Sequence, residues 1–252
     1  MPFTFLHLDS VDSTNSFLLR KQEEGTICGL VVTADEQTAG KGMGTNAWES
    51  EPGANLTFSM AVDLAFLKAA DQFLLSQAVP LGLLDVLDSF LGLTHHSVPM
   101  GMLTVKWPND IYFDGHKLAG ILINSTIKAD MMDVSVVGIG LNVNQMHFQN
   151  WPTHPISIKM ILGKDVALEP LLNQLVNAVD RRIQQLRSPE GVAKIKEDYL
   201  HRLYRYHEWG DFETKEGIVK LYVDGIDEFG RLKTLDSEGR CHVYDIKEIK
   251  FL

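Results

Sequence analysis

The stretch "TVKWPNDIYFDGHKLAGILIN", residues 104–124, decides how this chain is read. Short β-rich runs at 103–107, 110–114 and 118–124 are broken by Pro108 and by Asp114-Gly115. Asp-Gly between two such runs is a strong hairpin signal, because both turn residues tolerate positive φ. Pro108 holds Trp107 extended and removes a backbone donor, so Asn109 and Asp110 are presented at a strand end, where phosphate and metal contacts are commonly built. Lys106 is flanked by the apolar Val105 and Trp107, and an ammonium there loses hydration unless an anion compensates it. One such lysine can snorkel to the sheet edge or pair with Asp110. A second, Lys117, returns on the far side of the same turn, and the two together point to an anionic ligand lying across the hairpin. Ala119 and Gly120 keep the strand after Lys117 small enough for a ligand to lie against backbone.

Outward from this hairpin the periodicities alternate, which predicts a mixed α/β body. Ser13 or Thr14 caps a helix running to about Glu24, and strands are expected at 29–35, 55–64 and 132–140. Apolar residues at helical spacing between about 70 and 92 mark a core-facing helix, with a kink or a fresh start expected at Pro80. A second long helix follows from 168 to 186 and a third over 189–203. Beyond "EWGDF" (208–212) the texture changes to short strands broken by "VDG", "EFG" and "SEG". The expected division is therefore a main body over 1–205, which the resemblance named below makes the catalytic domain, and a small β domain over 206–252.

The chain has 252 residues, 45% of them hydrophobic and 22% charged, the usage of an ordinary globular protein with a sizeable core. A net charge of −10 disfavours sequence-independent binding to nucleic acid, which depends on Lys and Arg neutralising phosphates. No apolar run of about 18 residues stands out as a membrane span, and the acidic start "MPFTFLHLDSVDSTN" lacks the basic region of a signal peptide. A cytoplasmic protein with no membrane or nucleic-acid partner is expected. Cys28 and Cys241 lack metal or redox spacing and read as free thiols. The pairs His95-His96 and His201, His207 read as solvated or capping residues.

A glycine-rich loop completes the constellation. Gly40, Gly42 and Gly44 let the backbone expose N–H groups in a concave arrangement that suits anions, although the spacing is neither a P-loop nor a dinucleotide fingerprint. Trp48, just beyond, can pack in the core or stack on an aromatic base. Gly138 and Gly140 relieve another strand of side chains, and Asn142 and Asn144 follow as hydrogen-bonding groups.

In order and spacing, "DSTN" (12–15), "EQTAGKGMGTNAW" (36–48), "KWPNDIY" (106–112), "KLAGIL" (117–122) and "GIGLNVN" (138–144) strongly resemble biotin–protein ligases. The resemblance spans nearly the whole chain and is similar to the ligase-only form, without the DNA-binding domain that some members carry at the N-terminus. It implies an α+β fold, a mixed sheet flanked by helices like that of class II synthetases, followed by a small SH3-like barrel. It also implies two-step acyl transfer: biotin and MgATP give biotinyl-AMP and pyrophosphate, and a lysine of a biotin carboxyl carrier domain then takes the biotinyl group. A monomer or weak homodimer is expected.

Carried over position by position, Ser13, Thr14, Asn15 and Gln37 resemble the polar contacts to biotin, with Gly40, Lys41 and Gly120 beside them. Lys117 would sit on the biotin carboxylate and the bridging phosphate. The loop, with Lys41, Gly42 and Met43, would close over the adenylate while Trp48 stacks on adenine. Lys106, Asn109 and Asp110 would serve phosphate and metal, Asp110 as the Mg2+ ligand, and Asn142 would bond the adenosine. The family's loop usually carries two or more arginines, whereas Lys41 is the only cation in residues 40–46. Lysine lacks arginine's bidentate fork, so a looser grip on the intermediate or slower adenylation is expected. Two other readings are a lipoate–protein ligase, which the polar residues for a ureido ring argue against, and a non-catalytic biotin-binding regulator.

Overall fold

A computed structural model describes residues 3–92, 102–148 and 154–252. The six expected strands and one more form a seven-stranded sheet in the order β1-β2-β3-β7-β6-β5-β4. Its members are β1 (Thr4–Val11), β2 (Leu30–Gln37), β3 (Leu56–Asp63), β4 (Leu103–Lys106), β5 (Asp110–Phe113), β6 (His116–Lys128) and β7 (Met131–Leu141). Only β1 and β2 pair in parallel; every other neighbour is antiparallel. The β5–β6 turn has φ of 48° at Asp114 and 77° at Gly115, as the Asp-Gly signal requires.

Helix α1 (Thr14–Glu24) opens on Ser13, whose hydroxyl accepts from the Ser16 N–H, and its Leu18 packs with Val32, Ala61 and Val136 on one face of the sheet. The other face carries α2 (Phe73–Phe90), α4 (Leu168–Gln185) and α5 (Pro189–Arg202); the short α3 (Ile158–Leu162) joins β7 to α4. The main core lies between that helical layer and the sheet, around Phe58, Met60, Leu75, Leu84, Val105, Leu175 and Tyr199.

Pro80 neither ends nor restarts α2, which runs unbroken from Phe73 to Phe90. An interior proline costs about 3 kcal/mol, and burying even two or three large apolar side chains offsets that. The helix buries Leu74, Leu75, Val79, Leu81, Leu83, Leu84 and Leu87, and Gly82 lets α4 come so close that a Cβ there would lie 2.5 Å from the Val179 Cα. The same helix corrects the expectation about apolar runs. Over its 18 residues it is long and apolar enough to cross a bilayer, but 67% of it is buried inside this protein.

Strand β1 was not anticipated from the sequence. It is an edge strand held to β2 by backbone pairing, with no fully buried residue, so it carries no apolar alternation.

After α5 a second, antiparallel sheet takes the order β11-β10-β9-β8-β12. It contains β8 (Trp209–Thr214), β9 (Gly217–Ile226), β10 (Leu232–Leu235), β11 (Cys241–Tyr244) and β12 (Ile249–Phe251) and forms the small barrel-like unit. "EFG" and "SEG" are turns, but "VDG" lies within β9. There the register slips opposite Lys233 and Thr234, and Asp224, beside Gly225 at φ 140°, is the extra residue of a bulge that does not end the strand. The change of sheet falls between Arg202 and Trp209. Trp107 crosses it, its indole N–H donating to the Gly230 carbonyl at 2.8 Å. Both cysteines are free. His95-His96 lie outside the described residues, and neither His201 nor His207 joins a ligand cluster among the described ones.

Candidate active site

One cavity of about 180 Å³ is lined by the start of α1, the glycine loop, the 108–110 turn and the neighbouring strands β3, β7 and β6. Its lining includes Ser13, Thr14, Asn15, Gln37, Lys41, Gly42, Met43, Trp48, Asn109, Asp110, Lys117 and Gly120. These twelve were singled out in the sequence, and the fold brings them together across more than a hundred positions.

The inner end is polar and pre-bonded. The Gln37 side-chain oxygen accepts from the Thr14 backbone N–H at 2.8 Å and from the Thr14 hydroxyl at 3.1 Å. With that proton committed, Ser59 is left to donate to the Thr14 oxygen at 2.9 Å. Asn124 donates to the Asn15 side-chain oxygen at 2.8 Å, and Asn15 turns its amide toward the Leu122 carbonyl. A Cβ at Gly138 would come within 3.0 Å of that amide and 3.3 Å of the Ser59 oxygen, so glycine leaves the space in which these groups face a ligand. Ser13, Thr14 and Asn15 are at most 4% exposed, and Ser59 is fully buried. Buried polar atoms held in fixed rotamers by one another form a preorganised recognition surface for a small, doubly hydrogen-bonding head group.

Lys117 reaches the cavity through a bulge. Asp110 pairs with Gly120 and Ile111 with Ala119, but Tyr112 pairs with Lys117, so Leu118 is the extra residue. Leu118 and Ala119 both turn into the core, and Lys117 comes out on the side of Gly120. Strict alternation would have placed Lys117 on the same face as Ala119. Its ammonium lies 2.8 Å from Asp110 Oδ1, with both side chains about four-fifths buried, and 5.8 Å from the centroid of the Trp48 ring. Asn109 is fixed by donating to the Ile121 carbonyl at 2.6 Å. The cavity thus runs from neutral hydrogen-bonding groups inside to an ammonium–carboxylate pair at its middle.

The loop outside that pair is a miniature hairpin. Lys41 bridges Ala47, the Gly42 N–H donates to the Asn46 carbonyl at 2.8 Å, and the Trp48 N–H donates to the Gly40 carbonyl at 3.0 Å. Gly40 is not on the wall; a Cβ there would collide with the Trp48 carbonyl at 2.3 Å. The Trp48 indole lies flat on the side-chain-free strip of the sheet. A Cβ at Gly140 would be 2.2 Å from the ring and one at Gly120 would be 3.1 Å from it. The strip expected to take ligand directly is therefore covered, in this structure, by the protein's own tryptophan.

Lys106 and Asn142 are not on the wall either. Lys106 projects toward the C-terminal sheet, donating to the Tyr112 hydroxyl at 3.0 Å and lying over the Tyr112 and Phe251 rings. Burial pushes its pKa down, and nearby Asp110 only partly opposes this. Asn142 is fully buried beneath Lys117, its amide donating to the Ile156 carbonyl at 3.1 Å and aimed at that of Lys117. It braces the strand that carries the lysine. Sequence reasoning passed over Ser59 and Phe58, both lining the cavity. The available signal for Ser59 was one small polar residue inside the otherwise apolar "FSMAV".

The model of the biotin/lipoate A/B protein ligase family matches residues 8–144, which hold the whole cavity lining. The chain belongs to that family. Among curated members, the biotin–[acetyl-CoA-carboxylase] ligase of Paracoccus denitrificans is 31% identical over 239 residues, 92% of this chain and 95% of the relative. The enzyme of the same name from Mycobacterium tuberculosis is 34% identical over 95% of this chain and 86% of its own. The fold of this ligase-family chain is that of the biotin protein ligase from Aquifex aeolicus solved with biotin and ATP. The TM-score is 0.78 at 23% identity, with 99% of this chain and 98% of that one covered.

Proposed function

We infer that the protein is an ATP-dependent biotin–protein ligase. It activates biotin as biotinyl-AMP and transfers the biotinyl group to a lysine of a biotin carboxyl carrier domain. The observation that carries this reading is the buried Ser13–Thr14–Asn15–Gln37–Ser59 network facing the Lys117–Asp110 pair, in a chain whose relatives over nearly its full length are named for this activity.

In the first step a biotin carboxylate oxygen forms a bond to the α-phosphorus of MgATP, and the bond from that phosphorus to the bridging oxygen breaks, releasing pyrophosphate. Two anionic groups must approach, so the site must supply a fixed cation and exclude water. Lys117 is placed for this because its ammonium stands between the polar pocket, which would hold the ureido ring, and the loop, which would hold the nucleotide. Asp110, which pairs with that ammonium, carries the carboxylate that would hold Mg2+, and the metal would neutralise phosphate charge beside the lysine. In the second step the carrier amine attacks the anhydride carbonyl, the C–N bond forms, AMP leaves and the amine proton passes to solvent. No protein nucleophile is required.

A lipoate ligase fits less well, since a dithiolane offers nothing to satisfy the buried network, and leaving such groups unpaired costs about 1–3 kcal/mol each. A non-catalytic regulator would have no use for the lysine–carboxylate pair. The experiment is pyrophosphate release that requires both biotin and ATP, followed by the mass shift of an added carrier domain. Binding of labelled biotin without pyrophosphate release would favour the regulator, and activity with lipoate in place of biotin would favour the other ligase.

A further inference from the structure

The glycine loop carries one cation, Lys41, while a nucleotide triphosphate brings up to about four negative charges to it. Lys117 is engaged with Asp110 in the interior. The C-terminal sheet brings another cation to the tip of the glycine loop. Gly44, at the tip of the loop with φ 67°, has no side chain, and the point where its Cβ would stand is 3.4 Å from both Cε and Nζ of Lys247. Met43 and Gly42, the residues just before Gly44, line the cavity.

Lys247 is held there by strained backbone. It lies in the turn between β11 and β12, in which the Glu248 N–H donates to the Asp245 carbonyl at 3.1 Å, and its φ is 77°. That is the third position of a β-turn, where positive φ selects glycine or asparagine. Among the described residues its ammonium makes no ion pair, so the charge is uncommitted.

We propose that Lys247 is a phosphate-binding residue for the nucleotide, presented by the C-terminal sheet at the tip of the glycine loop. The nucleotide site is then completed by two parts of the chain about two hundred positions apart, and the C-terminal sheet takes part in the reaction directly. The proposal rests on the ligase reading above.

The test compares Lys247→Met and Lys247→Gly with the parent in biotin-dependent pyrophosphate release, with ATP and biotin varied separately. Each variant should raise KM for ATP about fivefold to tenfold while KM for biotin stays within about twofold, the size expected from one charge-assisted contact at a solvent-accessible site. Lys247→Arg should retain most of the affinity. Lys247→Gly is the decisive variant. Glycine relaxes the positive φ, so the thermal midpoint should hold or rise while ATP binding weakens, which damage to the fold cannot produce. Lys250→Met, which removes a cation from the same sheet where it pairs with Glu213, should leave both constants unchanged. An active parent whose KM for ATP is unmoved in both Lys247→Met and Lys247→Gly, or is moved equally by Lys250→Met, overturns the role of Lys247 and leaves the ligase reading intact. A parent with no biotin-dependent turnover overturns both.

Discussion

Replacing Lys117 by methionine keeps the length of the side chain and removes its charge, and the structure lets two consequences be separated. The first is on the fold. Lys117 Nζ and Asp110 Oδ1 are 2.8 Å apart, with side chains 18% and 21% exposed, so the variant strands a mostly buried carboxylate. Loss of a partner to a charged group costs about 1–3 kcal/mol, a fall of a few degrees in thermal midpoint for a chain of this size. Asp110→Asn added to Lys117→Met should recover most of that loss, because the stranded charge is gone. The second consequence is on chemistry. If Lys117 stabilises the charge that develops as the biotin carboxylate meets the α-phosphate, its loss should slow adenylation by about 10²-fold or more, equivalent to about 3 kcal/mol. The double variant should not recover this. The assay is biotin-dependent pyrophosphate release at saturating ATP, beside transfer from preformed biotinyl-AMP to a carrier domain, which bypasses the first step and should suffer less. A folded Lys117→Met protein adenylating biotin within threefold of the parent would refute the assignment, and equal losses in both half-reactions would assign the lysine to holding the intermediate instead.

Gly140→Ala places a Cβ where the Trp48 ring now lies, 2.2 Å from it, so the thermal midpoint should fall by the equivalent of about 1–3 kcal/mol of overpacking. In a Trp48→Ala background the same Gly140→Ala change should cost little, and an unchanged midpoint in the single variant would mean the indole does not sit on that strip in solution. Amide hydrogen exchange over residues 40–47 should slow markedly when biotinyl-AMP is added, since ligand contacts must order a glycine-rich segment; equal exchange in the two states would argue against closure. Arg20 grips Asp12 through two hydrogen bonds of 2.7 and 2.8 Å, and this holds the carboxyl down from 3.8 to about 2. A depressed carboxylate stabilises the fold above its unfolded pKa and stops doing so as the pH falls through its folded one. The stability gap between the parent and Arg20→Gln should therefore be constant above about pH 4 and close as pH approaches 2, and it should be small throughout because the pair is half exposed. Chemical denaturation at a series of pH values reads it, and a gap that widens toward low pH would reverse the sign.

Much was legible before any fold was known, because local signals and the final structure agree. Ser13 as helix cap, the Asp114-Gly115 turn and the helical spacing of α4 are properties of a few adjacent residues, and each element formed where its signal stood. The glycines and polar residues of the cavity were legible as types, since a strip without side chains beside fixed donors has few other uses. What the sequence could not supply were the features set by residues far apart. Edge strand β1 buries no face and so leaves no periodic trace. Pro80 stays helical because α4 packs against that stretch of α2. The side on which Lys117 emerges depends on a one-residue bulge against β5, and a period-two pattern cannot show which strand partner will be skipped. Lys106 and Asn142, which read from their neighbours as ligand contacts, sit behind the wall, one against Tyr112 and Phe251 and the other beneath Lys117. Lys247 carries no motif at all; only the tertiary fold brings its side chain beside Gly44 of the glycine loop. Local sequence determines which elements form and which chemical groups they carry, whereas the direction each group faces is decided by the register and packing of strands distant in the chain.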